Sequence, residues 1–415
     1  LKILLNHIPN TLNYGSSMMA ENLVYYLSKE LGENTGFVCD SKSDEDLQRI
    51  KESTNVNELS LDRLAETEIP GRSPLSKLVN YRRFLVDKVR KYENMGIEGM
   101  IVLGGDDLSE YYAGSRVALE LVRLRVFSKY MRVFLAGQTV GPFSSWRVPL
   151  ARRMLRNCIV YTRDPLTKHY LLNDLRLKKV YESRDLAWLD LPMQSDKNIQ
   201  DSILAKYGLH PNEYIVLVPS GFAGQYSENR TQYNLRWLDI VNSLGSIESL
   251  TEKKIVLLGH VVQSDINDDR NVIRYIANQS DGLSRQRIIP ILDEVLPVEA
   301  RMILGNGYFT ITGRMHAAVS TFQVGKPAIS LSYSVKYKGV IGEGLGMKDL
   351  IIEARGDDLW ESGKIVDLVM DKVDYVLSNY DSLVSRIKPA VEENKKLAMS
   401  QIEDIANKLE GKPHR

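Results

Sequence analysis

The stretch Gly307-Tyr-Phe-Thr-Ile-Thr-Gly-Arg-Met-His-Ala-Ala-Val-Ser-Thr-Phe-Gln-Val-Gly-Lys-Pro-Ala-Ile-Ser-Leu-Ser332 reads as a strand, a helix and a second strand. The runs Gly307 to Ile311 and Pro327 to Ser332 are β-rich, and helical spacing over Met315 to Val324 joins them. That order predicts one βαβ unit of a parallel sheet. Arg314 and His316 fall at its strand-to-helix edge, and Lys336, in Ser332-Tyr-Ser-Val-Lys-Tyr-Lys-Gly339, falls just beyond its second strand. Open α/β sheets collect ligands at the carboxyl ends of their strands, so basic side chains placed there point to an anionic guest.

The alternation extends both ways along the chain. Strands are predicted at Lys2 to Asn6, Thr35 to Cys39, Gly99 to Leu103, Arg132 to Gly137, Cys158 to Thr162 and Lys179 to Glu182, with helices between them. Further strands are predicted at Tyr214 to Pro219, Lys254 to Gly259 and Arg287 to Ile289. Apolar periodicity lapses over Leu189 to Asn198, where a linker is expected. From Asp357 to Glu410 the pattern is almost continuously helical and contains Pro389. The expected organisation is an N-terminal Rossmann-like domain over 1–190, a second over 191–356, and helices over 357–415 that brace the two.

The chain has 415 residues and a formal charge of +1 from 54 basic and 53 acidic side chains. So even a balance argues against nucleic-acid binding through a global positive field, and attraction for anions must be local. Cys39 and Cys158 have no CxxC partner, so neither a disulfide framework nor a thiolate zinc site is implied. No run reaches the ~18 apolar residues a membrane span needs, and no signal peptide is recognisable. A cytoplasmic location is expected, peripheral to the inner membrane face if the chain touches lipid. The basic stretches Lys77 to Lys91 and Arg123 to Arg132 suit a helix lying on anionic headgroups, and the same spacing equally describes core helices with a solvated basic face.

Glycines follow two strands directly, in Gly104-Gly105-Asp106-Asp107 and in Gly137-Gln138-Thr-Val-Gly141. Such turns admit a ligand to the backbone, and they also serve as plain tight strand exits. Neither is GxGxxG, and no P-loop occurs, so dinucleotide and P-loop sites are not supported. Asn13-Tyr14-Gly15-Ser16 opens a helix, with Ser16 or Ser17 as its expected cap. Arg163, beside Asp164 at a strand end, suits either a bidentate anion grip or an ion pair. Six histidines are present, and only His316 is accompanied by an arginine and a lysine at strand exits.

In series, Asn13-Tyr-Gly15, Leu103-Gly-Gly105, Gly137 to Pro142, Arg163-Asp164, Asp185-Leu-Ala187, Gly313-Arg-Met-His-Ala-Ala318, Gly325-Lys-Pro327 and Tyr333 to Lys336 resemble the polysaccharide pyruvyl transferases. The resemblance implies an α/β fold of two Rossmann-like domains facing a cleft, GT-B-like, with the acceptor on the N-terminal side and the donor on the C-terminal side. It implies that phosphoenolpyruvate donates a pyruvyl group as a ketal to two hydroxyls of a sugar, polymeric or lipid-linked, with release of phosphate. No cofactor and no metal are expected, and the partners are phosphoenolpyruvate and the sugar.

Arg163, His316 and Lys336 match the family's basic catalytic positions. Arg314, Gly313, His260 and Tyr333 are expected at the donor. Asn13, Tyr14, Gly15, Gly104, Gly105, Asp106 and Gln138 are expected at the acceptor, with Tyr111 and Tyr112 beside them. The chain departs from the family at Ser16, where Asp is frequent, and at Gly313, where Ser is common. Competing expectations on the same architecture are a nucleotide-sugar glycosyltransferase of GT-B type and a non-enzymatic anion-binding scaffold.

Overall fold

Parallel strands buried on both faces read as near-continuous apolar runs, and Tyr214–Val218 is such a strand, with every residue buried; Met100–Leu103 and Ala328–Ser332 are likewise buried throughout. The structure is a computed structural model that describes residues 1–8, 10–64, 74–110, 116–263 and 265–411. Its strands are β1 (Lys2–Asn6), β2 (Gly36–Cys39), β3 (Leu59–Leu61), β4 (Ile97–Leu103), β5 (Arg132–Gln138), β6 (Ile159–Thr162), β7 (Val180–Glu182), β8 (Tyr214–Val218), β9 (Lys254–Leu258), β10 (Ile288–Ile291), β11 (Thr310–Thr312), β12 (Ala328–Ser332) and β13 (Ile351–Glu353). Five helices matter below: α1 (Tyr14–Leu31), α2 (Arg147–Leu155), α3 (Asp269–Gln279), α4 (Met315–Gln323) and α5 (Tyr380–Leu409).

The strands form two all-parallel sheets, seven-stranded in the order β3-β2-β1-β4-β5-β6-β7 and six-stranded in the order β10-β9-β8-β11-β12-β13. Each sheet grows outward in both directions from its first strand, the Rossmann order. The direction of growth reverses between β1 and β4 in one sheet and between β8 and β11 in the other, so these are the points where a crevice opens at the strands' carboxyl ends. In the first sheet Leu4, Met100, Val102, Val133, Leu135 and Val160 lie in one core with helical Leu121, Leu124 and Leu155.

The chain separates into two compact units, Leu1–Thr11, Met19–Pro192 and Asn394–Arg415 against Leu12–Met18 and Met193–Glu393. Two points differ from the expected organisation. The segment Leu12–Met18, including the first turn of α1, belongs with the second unit, and the C-terminal helices form no unit of their own. α5 contains Pro389 without interruption and is divided between the units after Glu393. Among the described residues no helix is long and apolar enough to cross a membrane.

The glycines after β4 and β5 answer first to packing. A Cβ on Gly104 would overlap the carbonyl oxygen of Gly137 and come within 2.9 Å of that of Ala136. Gln138, fully buried, donates its side-chain amide to the carbonyls of Val102 and Leu103, sealing the exits of β4 and β5 together. Gly104→Ala should therefore destabilise the first unit by about 1–3 kcal/mol or more, because backbone, not a yielding side chain, is in the way. Urea unfolding measures it, and an unchanged midpoint would contradict the packing role.

Candidate functional site

Asp269, the first residue of α3, has no exposed surface and gathers the loops of the second sheet. One carboxylate oxygen accepts from the Gly221 amide at 2.6 Å, after β8, and from Arg314 Nε at 3.1 Å and Nη2 at 2.7 Å, after β11. The other accepts from the amides of His260 and Val261 at 3.0 and 2.9 Å, after β9. Three strand exits flanking the reversal point are thus tied to a single buried charge. Arg314 also donates to the Asn267 carbonyl at 3.1 Å. Burial opposes its charge, but Asp269 outweighs burial and the guanidinium stays firmly protonated. Arg314 was expected to grip the donor. Its Nε and one terminal nitrogen are held by Asp269 and Asn267, which fixes where the guanidinium sits.

Gly313 precedes it, and its carbonyl accepts from the Tyr226 hydroxyl at 2.6 Å and the Tyr337 hydroxyl at 2.7 Å. Tyr226 also reaches the Leu331 carbonyl of β12 at 3.1 Å. A Cβ at 313 would stand 2.9 Å from the Tyr226 hydroxyl and 3.1 Å from Ser220 Cβ. The departure to glycine at this position is therefore matched to Tyr226.

His316 lies in the first turn of α4 and is half-buried. Gly15 holds it: a Cβ there would overlap the imidazole Nδ1 and lie 2.7 Å from Cγ. Gly15 is held in turn by its neighbours, because Asn13 bridges Val261, the Tyr14 amide donates to the His260 carbonyl at 3.0 Å, and the Tyr14 hydroxyl accepts from the Val295 amide at 2.9 Å. Asn13, Tyr14 and Gly15 thus pack on His260 and His316 in the second unit, although the sequence placed them in the N-terminal domain. α1 begins at Tyr14, so Ser16 and Ser17 sit inside its first turn and do not cap it.

His260 is buried, its ring edge-on to Tyr14 at 5.6 Å. Burial, together with the nearby His316, Arg314 and Arg301, pushes its pKa well below that of a free imidazole. Nε2 has no hydrogen-bond partner among the described residues. At the next strand exit, after β12, Lys336 Nζ donates to the Tyr333 hydroxyl at 2.8 Å and lies 4.7 Å from that ring's centre. β11 and β12 are neighbours with parallel register, so Lys336 and His316 follow adjacent strands at the same sheet edge.

In the first unit the expected residues have mainly architectural partners. Arg163, 1% exposed, donates Nε to Thr139 at 2.6 Å and pairs with the fully buried Asp185 at 3.5 Å. Thr139 donates to Asp164, which caps the following helix through the Thr167 amide at 2.8 Å. At the end of β6 Arg163 is thus paired with Asp185, while its second terminal nitrogen is buried without a hydrogen-bond partner among the described residues. The Asp106 carbonyl accepts from the Ser109 amide and hydroxyl, closing the turn after Gly105. Tyr111 and Tyr112 lie outside the described residues.

A cluster the sequence did not single out sits where the first sheet reverses. His7, at φ 68°, lies 3.5 Å from Asp107 and 3.9 Å from Glu120, and Asp40 accepts from the amides of His7 and Ile8. Arg123 joins Glu120 to Asn6. Burial works against the charge of His7, but Asp107 and Glu120 prevail over burial and over Arg123, and its pKa is raised. Arg123 therefore points inward, which removes it from the lipid-facing role considered for Arg123 to Arg132.

Two outcomes follow for stability. Asp269→Asn should cost about 3–5 kcal/mol, because Arg314 is left buried without its counter-charge; chemical unfolding measures it, and a loss below about 1 kcal/mol would deny Asp269 its organising part. The unfolded chain protonates an imidazole near pH 6.5, which folded His260 resists, so below that pH the unfolded state binds more protons and stability falls on acidification by up to about 1.4 kcal/mol per pH unit. His7 contributes with opposite sign, its stabilisation being present in acid and lost as pH rises through its folded value. His260→Asn should flatten the acid limb of the stability curve, and an unchanged slope would contradict the assignment.

Comparison with known proteins agrees with the fold. The UDP-GlcNAc 2-epimerase of Neisseria meningitidis superposes with a TM-score of 0.64 at 12% identity over 98% of this chain and 100% of that one. A glycosyltransferase of Rickettsia africae gives 0.58 at 13% identity over 98% of each chain. At such identities the likeness concerns architecture, two parallel-sheet α/β domains of the GT-B kind. The amylovoran biosynthesis protein AmsJ of Erwinia amylovora is 21% identical over 338 residues, 79% of this chain and 76% of that protein. The polysaccharide pyruvyl transferase model matches residues 13–335, from the Asn13 turn to the doorstep of Lys336. The chain therefore belongs to the polysaccharide pyruvyl transferase family.

Proposed function

We propose that the chain transfers a pyruvyl group from phosphoenolpyruvate to two hydroxyls of a sugar during polysaccharide biosynthesis, forming a ketal and releasing phosphate. The reading is supported above all by one arrangement: His316 held against Gly15 at the head of α4, with Lys336 following the adjacent strand. Family membership supplies the pyruvyl chemistry, and the relative named for amylovoran biosynthesis supports a polysaccharide context.

The donor carries a carboxylate and a phosphate, so its recognition requires positive charge and backbone amides. Lys336 and the amino end of α4 offer both at one sheet edge. Proton delivery to the methylene carbon creates an electron-poor centre at the carbon bearing the phosphate. One sugar hydroxyl adds there, the carbon–oxygen bond to phosphate breaks, and the second hydroxyl closes the ketal. One hydroxyl proton replaces the proton given to the methylene, and the other leaves with phosphate. A histidine can give and retrieve protons near neutral pH, and His316 is assigned that part. Lys336 stabilises the departing phosphate. Neutral His260 behind His316 adds no charge of its own, and Arg163 enters only as the family's third basic position.

Incubation with phosphoenolpyruvate and a panel of galactose-, mannose- and N-acetylmannosamine-type acceptors should yield acid-labile pyruvyl sugar. His316→Ala should lower kcat by about 10²-fold or more, and Lys336→Met should raise KM for the donor. Phosphate release independent of acceptor, or stabilisation by UDP but not by phosphoenolpyruvate, would overturn the proposal and favour a glycosyltransferase.

A further inference from the structure

One face of α2 takes no part in either cluster described above. Trp146, Pro149, Arg153 and Arg156 are exposed and recur three or four residues apart, as a single helical stripe requires. Of the chain's four tryptophans, Trp188, Trp237 and Trp360 are fully buried, whereas Trp146 is 59% exposed. From Phe143 to Asn157 the sequence has four arginines and no carboxylate.

Arg147 is used locally, pairing with Glu110 at 3.5 Å and lying 5.1 Å from the Trp146 ring centre. Arg152 donates to the carbonyls of Asp174 and Leu175 at 2.9 and 3.1 Å, which brings the turn before β7 alongside. That turn adds exposed Arg176, Lys178 and Lys179 against exposed Asp174. Among the described residues no carboxylate lies within ion-pair distance of Arg153 or Arg156. In a chain whose formal charge is only +1, this is a strong local excess.

We propose that this face docks on an anionic lipid surface, with the Trp146 indole at headgroup level and Arg153 and Arg156 on lipid phosphates. An indole with one apolar and one hydrogen-bonding edge suits the membrane interface, and basic side chains beside it complement anionic headgroups. A soluble polyanion would account for the arginines and leave the exposed tryptophan without a purpose. The proposal stands apart from the transfer reaction, and its test needs no substrate.

The full chain should sediment with phosphatidylcholine vesicles containing phosphatidylglycerol and not with pure phosphatidylcholine, and salt should weaken the association. Tryptophan emission should shift to the blue on binding and lose its accessibility to iodide, a signal carried by Trp146. Arg153→Gln with Arg156→Gln should lower vesicle partitioning about tenfold or more, and Trp146→Ser should remove the emission shift, with circular dichroism unchanged in both. The proposal is overturned by failure to bind anionic vesicles at low salt, by undiminished binding of the double variant, or by equal affinity for heparin with no dependence on Trp146.

Discussion

A single buried carboxylate organises the second unit. Five hydrogen bonds converge on Asp269, three from backbone amides and two from Arg314, and they fix the exits of β8, β9 and β11. A carboxylate without exposed surface can keep its charge only when it is densely hydrogen-bonded and paired. Removing any of these donors would therefore leave a cost, and the loops that bear Gly313, His260 and His316 share one anchor.

That anchor divides the basic residues by task. Arg314 in the second unit and Arg163 in the first both meet buried aspartates, which fix where their guanidinium groups sit. His316 and Lys336 are half-buried and stand at neighbouring strand exits, where an incoming anion can be met. Around them the hydroxyls of Tyr226 and Tyr337 pin the Gly313 carbonyl, and Tyr333 sets the ammonium of Lys336. The two sheets have the same strand order yet differ at their reversal points. The first carries His7 with Asp107 and Glu120, the second the Asp269–Arg314 anchor.

Much of this was legible from residues alone. A continuous apolar run marked the fully buried strand β8, and the placement of Arg314, His316 and Lys336 at strand exits followed from βα alternation. β3 and β13, edge strands of three residues, were missed, although β7, equally short and at an edge, was found. Asp269 was missed because it looks like any acidic residue in the first turn of a helix, and its partners at 221, 260 and 314 are brought to it only by the sheet. The seven residues Leu12–Met18 were assigned by sequence order to the wrong unit, since their bonds to His260, Val261 and Val262 are tertiary. Arg163 and Gln138 sit at strand ends as expected, but burial, invisible in the sequence, gives them protein partners.

The most direct measurement is a crystal structure of the full chain with phosphoenolpyruvate bound. The donor's phosphate or carboxylate should contact Lys336 Nζ and the amino end of α4, with the His316 imidazole beside the methylene carbon. Donor density on the loops of the first sheet, with Lys336 still bonded to Tyr333 and His316 untouched, would contradict the assignment of the reaction to the second unit's sheet edge.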